Sequence, residues 1–146
     1  MADEAQVVQL RKGVAAWNQW RQANPAVAPD LTGVTLEGGR LSGINFKNAN
    51  FAGANLGRLH LIGANLEGAN LSRTTLTDAT LVEADLRNAN LSGAKFSGCT
   101  IIRANLSGAN LSAVSDWLAA QLRAAYWSEQ TTWPDGYRPP SPQRLP

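Results

Sequence analysis

The chain is poor in the residues from which most chemical sites are built. It holds one cysteine, Cys99, one histidine, His60, and one methionine in 146 residues. A lone cysteine excludes an internal disulfide framework, and with a single histidine it does not complete a typical zinc site. Charged side chains make up only 16% of the chain, and 13 basic against 11 acidic residues leave a formal charge of +2 with both signs interspersed. Nothing in that distribution calls for a nucleic-acid or membrane partner. No apolar run approaches the roughly 18 residues of a membrane span. The opening MADEAQVVQL is acidic and lacks the charged-then-apolar order of a secretory signal. We therefore expect a cytoplasmic protein with no metal and no cofactor.

What is present is a period. A large apolar residue recurs every fifth position from Leu31 through Leu36, Leu41, Phe46, Phe51 and onward to Phe96, Ile101, Leu106 and Leu111, seventeen in register without a slip. Two residues before most of them stands a small one, as at Ala49, Ala64, Ala84 and Ala109, followed by Asn or Asp, and Gly is frequent two places after the large residue. A period of five fits neither the 3.6 of an amphipathic helix nor the 2 of a strand. The chain must turn every five residues, with Gly giving the corner its backbone freedom and Asn, Asp and Ser bonding the neighbouring backbone. The N-L-S sequons at Asn70, Asn90, Asn105 and Asn110 are by-products of this period.

The units AGANL, EGANL, VEADL, RNANL and SGANL, of the form A-(N/D)-L-x-G, resemble the pentapeptide-repeat family. That resemblance implies an all-β solenoid, a right-handed four-sided parallel β-helix with four pentapeptides per coil. Seventeen repeats then make a little over four coils, roughly 20 Å tall at the ~4.8 Å spacing of neighbouring strands. The expected organisation is an N-terminal helical cap and linker over 1–29, the β-helix over 30–113, a C-terminal helical cap over 114–138 and a flexible Pro-rich tail over 139–146.

If a coil holds twenty residues, residues i and i+20 stack. Leu59 then falls between Gly39 and Ala79, which leave it room, and Cys99 continues that column as a small buried filler with an inert thiol. Lys47, Glu67 and Arg87 alternate in sign along an outer column, Arg58 lies under Asp78, and Glu83 lies under Arg103. Asn50, Asn70, Asn90 and Asn110 are expected to form an amide ladder. One outer column differs from the rest, because it reads Ser42, Ile62, Val82 and Ile102. This β-branched stripe either strengthens the sheet on its face or is a partner-docking strip edged by Arg40, His60, Glu83 and Arg103.

Open ends of such a solenoid require covering. Val7, Leu10, Val14 and Trp17 recur at helical spacing and predict one amphipathic helix over about 3–23, stopped by Asn24-Pro25. The stretch AWNQWRQANP resembles the cap helix ahead of many pentapeptide coils. After Leu111, Trp117, Leu118, Leu122 and Trp127 are candidates to cover the last coil or to pair with a second copy as a homodimer. All five tryptophans lie outside the repeat.

For catalysis the sequence offers no nucleophile beside a base, no paired carboxylates in a cleft and no G-x-x-x-x-G-K-(S/T) loop. We therefore expect a non-enzymatic rod that binds a protein partner. The alternative, implied by the resemblance, is a DNA-mimicking regulator that protects or inhibits DNA gyrase. Residues 30–113 argue against it, since six acids, Asp30, Glu37, Glu67, Asp78, Glu83 and Asp85, face seven bases, Arg40, Lys47, Arg58, Arg73, Arg87, Lys95 and Arg103. A mimic of DNA needs a strongly negative rod. Direct nucleic-acid binding is not expected, because the basic residues are dispersed among acids.

Overall fold

Every fifth residue from Asp30 to Lys95 forms a parallel bridge with the residue twenty positions on, as in Asp30 with Asn50, Thr35 with Asn55, Arg40 with His60 and Asn45 with Asn65. Four bridging positions per turn make the coil four-sided and confirm the twenty-residue stack. The computed structural model describes residues 1–142; of the expected tail, 143–146 lie outside them.

Each side is too short to be more than one bridge wide, because a corner interrupts it after five residues. At the corner the carbonyl of the large residue accepts from the amide three positions on, as Leu66 does from Ala69 at 3.0 Å. The residue before that amide has positive φ, whether glycine, such as Gly68 at 67°, or not, such as Arg73 at 55°. A hydrogen-bonded turn with positive φ at its third residue has the type II signature, which is why Gly recurs there. The amides of the large residues then donate to the coil above, as Leu71 does to the Asn90 carbonyl at 2.7 Å.

The inward columns pack as the spacing requires. Fifteen of the seventeen large residues are buried, Leu36 and Leu41 being half-buried. Leu59 is fully enclosed, and a Cβ on Gly39 would stand 3.0 Å from its Cδ1. Thr74 fills a small-residue position and returns its hydroxyl to the Leu71 carbonyl at 2.8 Å, so its burial leaves no unpaired group.

Two expectations about the outer columns are corrected. The asparagines do not bond one another; each side-chain oxygen accepts from the amide two residues on, as Asn70 does from Ser72 at 3.0 Å and Asn90 from Ser92 at 3.0 Å. A local Asx turn uses the acceptor before a stacked neighbour can reach it. Arg58 pairs with Glu37 at 2.6 Å rather than with Asp78. The Asp78 side chain instead stands where a Cβ on Gly98 would be, and Asn48 under Gly68 and Asn88 under Gly108 repeat that arrangement.

The N-terminal segment is two helices, not one: α1 spans Glu4–Arg11 and α2 spans Val14–Ala23. Gly13 separates them with φ of 102°, a conformation no helix continues through. Asp3 accepts from the amides of Ala5 and Gln6 at the start of α1. Trp17 is fully buried against Phe46, with ring centroids 5.6 Å apart.

The C-terminal segment is less helical than expected. Only Ala119–Arg123 is helical, as α3, while Ser115 bridges Lys95, Tyr126 bridges Asn105 and Thr132 bridges Asn110. The ladder therefore runs past Leu111 on three sides. Above it Trp127 meets Trp133 at 5.5 Å, Trp133 meets Tyr137 at 5.1 Å and Tyr137 meets Trp117 at 5.5 Å.

Candidate functional site

The corner geometry that aligns one coil over the next also aligns Ser42, Ile62, Val82 and Ile102. The carbonyls of Ile62, Val82 and Ile102 accept from the amides of Gly43, Gly63 and Glu83, each at 2.9 Å, which fixes the residues coil over coil. Ile62 is 45% exposed and Ile102 48%, while Val82 between them is half-buried. Beside the stripe run Arg40, His60 and Thr80, joined in successive bridges, and Arg40 and His60 are exposed. Glu83 and Arg103 form the ion pair expected of them. Next to Ile102 lies a hollow of about 280 Å³ lined by Cys99, Thr100, Ile101 and Gln121.

Much of the charge elsewhere on the rod is locally paired. Glu67 lies 3.2 Å from Lys47 and 3.4 Å from Arg87, and Arg87 also grips Asp85 at 2.7 Å. Partial burial pulls the Asp85 pKa up, but the hydrogen bonds and charge of Arg87 outweigh it and hold the carboxyl below its ordinary value. Four of the six acids between residues 30 and 113, Glu37, Glu67, Glu83 and Asp85, are thus in ion pairs.

The other sequence candidates divide. Leu118 is 66% exposed and Trp117 half-buried, but Leu122 and Trp127 are interior and offer no surface to a second copy. Leu122 is carried inward by α3, and Trp127 packs under Trp133. Cys99 is buried; its thiol pKa is pushed up to about 12, first by burial and then by the charge of Asp78. Among the described residues no group of His, Cys, Asp and Glu is arranged to hold a metal ion, and no helix is long and apolar enough to cross a membrane.

Sequence reasoning missed the polar groups by which α1 and α2 meet the first coil. Asn18 accepts from the Asn45 amide at 2.8 Å and donates to the Gly43 carbonyl at 3.1 Å. Trp17 Nε1 donates to the Asn45 carbonyl at 2.7 Å. Arg21, nearly buried, donates to the carbonyls of Val27 and Lys47, and burial lowers its pKa. Gln6 accepts from the Asp30 amide at 2.7 Å, and the Asp3 amide donates to the Asp30 carbonyl at 2.9 Å. These groups do for the Asp30 and Asn45 sides what a further coil would do. The signal was available in Arg21, four residues after Trp17 and hence on the same helix face.

Pentapeptide repeats, in eight copies, match residues 30–68, 54–93 and 79–115. The chain belongs to the pentapeptide-repeat family. It is similar to the crystal structure of the pentapeptide repeat protein Rfr23 from the cyanobacterium Cyanothece 51142, with 28% identity and a TM-score of 0.62 over 80% of this chain and 97% of that one. A second similar structure is HetL from the cyanobacterium Nostoc sp. strain PCC 7120, a pentapeptide repeat protein involved in heterocyst differentiation regulation. It is 26% identical with a TM-score of 0.42, over 74% of this chain and 54% of HetL. QnrB1, a plasmid-mediated fluoroquinolone resistance protein, is 22% identical with a TM-score of 0.39, over 74% of this chain and 58% of that one. No curated protein matches the chain.

Proposed function

We propose that the chain is a non-enzymatic, right-handed rod, closed at its ends by non-repeat segments, whose Ile62–Val82–Ile102 face docks a protein partner. The observation that carries this reading is the exposure of Ile62 and Ile102 in one column, since no other large apolar residue between 30 and 113 is as exposed. Sheet reinforcement accounts for a β-branched residue on that face, but not for two isoleucines left nearly half in water. An apolar strip rimmed by charge has the make-up of a protein interface. A photo-crosslinking residue placed at position 62 or 102 tests it in extract of the source cell. A discrete adduct from a probe at 62 that Ile102→Ser abolishes, or from a probe at 102 that Ile62→Ser abolishes, supports the reading, and the absence of any adduct at both positions overturns it.

Gyrase regulation stands second. Its support is membership of the family, and the pairing of Glu37, Glu67, Glu83 and Asp85 with bases removes the acidic stripe that imitation of DNA requires. Inhibition of gyrase supercoiling at micromolar protein would reverse the order of the two readings. A homodimer through the C-terminal end would have to rest on Leu118, the exposed member of the candidate set there.

A further inference from the structure

The first coil is closed on two of its four sides only. A bridging residue in this fold donates its amide to the coil below, as Asn55 does to the Val34 carbonyl at 2.9 Å and His60 to the Gly39 carbonyl at 2.9 Å. Below Asp30 and Asn45, Gln6 and Asn18 accept those amides, and the Asp3 amide and Trp17 Nε1 donate to the two carbonyls. Below Thr35 and Arg40 there is no counterpart: among the described residues, neither the amide nor the carbonyl of either has a protein partner. Thr35 and Arg40 are both exposed.

The same place is where the inner column fails to close. Leu36 and Leu41 are the two large repeat residues left half-buried. They form, with Leu10 and Gly39, an apolar groove of about 370 Å³ between the α1–α2 junction and the open edge. The groove is bordered by Arg11 and Glu37. Glu37 is held by Arg58, whereas among the described residues Arg11 and Arg40 enter no ion pair. The uncompensated charge around the groove is therefore positive.

An unpaired strand edge beside an apolar groove is the arrangement that adds a peptide strand. Main-chain hydrogen bonds give the affinity, and a pocket for an alternate side chain gives the specificity. We propose that this edge binds an extended peptide segment carrying an apolar side chain flanked by acidic ones. The peptide backbone pairs with the amide and carbonyl of Thr35, its apolar side chain fills the space over Leu36 and Leu41, and its carboxylates meet Arg11 and Arg40. This site shares Arg40 with the rim of the isoleucine stripe but uses neither Ile62 nor Ile102 and does not depend on them.

The test is nuclear magnetic resonance of the labelled full chain, titrated with a short synthetic peptide alternating Thr with Leu and Val and bearing Glu at both ends. The expected result is saturable shifts at the amides of Thr35, Leu36 and Arg40, with amide exchange at Thr35 slowed about tenfold or more. Arg40→Glu, an exposed change that leaves the core intact, is expected to weaken binding by about tenfold and to favour the same peptide with Lys in place of Glu. Thr35→Pro, which removes the donor at an edge where Pro is tolerated, abolishes it. No shift at these amides with millimolar peptide overturns the proposal, as do shifts confined to Ile62 and Ile102. Slowed exchange at Thr35 that rises with protein concentration in the absence of peptide also overturns it, because the occupant is then a second copy.

Discussion

The Asn50 side of the rod and the His60 side are built from the same repeat and end differently. Below the first, Gln6 and Asp3 meet Asp30, and above it Thr132 pairs with Asn110. Below the second, the edge of Arg40 is open, and above it Thr100, bridged below to Thr80, pairs with no later residue among those described, and Gln121 of α3 bonds the carbonyls of Phe96 and Cys99 instead. The open side is also the one that carries Ile62 and Ile102 in water. Repetition makes an interior; the unique residues at the ends decide which surfaces remain available.

Substitutions probe that contrast, and the largest effect belongs to the closed interior. Leu71→Ala, at a fully buried position, is expected to cost about 2 to 5 kcal/mol in urea unfolding, and Leu36→Ala at the half-buried edge about 1 kcal/mol. Equal costs would mean that the groove beside Leu36 is closed in solution. Gly98→Ala places a methyl against the Asp78 carboxylate at φ of 67°, and a loss of about 2 to 3 kcal/mol follows from strain and displacement. Relief of most of that loss by Asp78→Gly would establish the corner stacking.

Asn18→Ala unpairs the Asn45 amide and the Gly43 carbonyl, with an expected cost of about 1 to 2 kcal/mol. Faster amide exchange should follow at Asn45 and not at Thr35, which has no such partner to lose.

Cys99 supplies a pH dependence. Its folded pKa is raised to about 12 from 9.0, so its contribution is fully present below pH 9 and lost as pH rises, on the order of 1 kcal/mol by pH 10. Unfolding midpoints for the protein and for Cys99→Ala should converge above pH 9. A thiol reagent at pH 8 should modify folded protein only at the rate of its opening. The smallest effect is a gain: Ala113 holds φ of 56° without being glycine, and Ala113→Gly should add about 0.5 to 1 kcal/mol, read as a raised melting temperature.

Much of the interior was legible in the sequence, because the five-residue period set where the chain turns and the resemblance to the pentapeptide-repeat family supplied four units per coil with the large and small residues inward. Leu59 over Gly39 and the ion pair of Glu83 with Arg103 followed from the twenty-residue stack alone. What was misread lay where a nearer partner competes. Asn70 bonds its own turn before its neighbour, and Arg58 reaches down to Glu37 instead of up to Asp78. Position in a column sets which groups are neighbours, and rotamer and local geometry set which of them pair.

The sequence by itself determined the turn every five residues, the buried columns, the near-cancellation of charge and the exposure of Ile62 and Ile102, since each follows from periodicity and side-chain type. Only the tertiary structure decided that Gly13 breaks the first helix, that Asn18 and Arg21 serve as strand partners, that Leu122 and Trp127 turn inward, and that Thr35 and Arg40 are left unpaired. Those outcomes depend on how non-repeating segments settle on the ends of the coil. No period in the chain encodes that placement, which is set by which orphaned amides, carbonyls and apolar faces a particular side chain can reach.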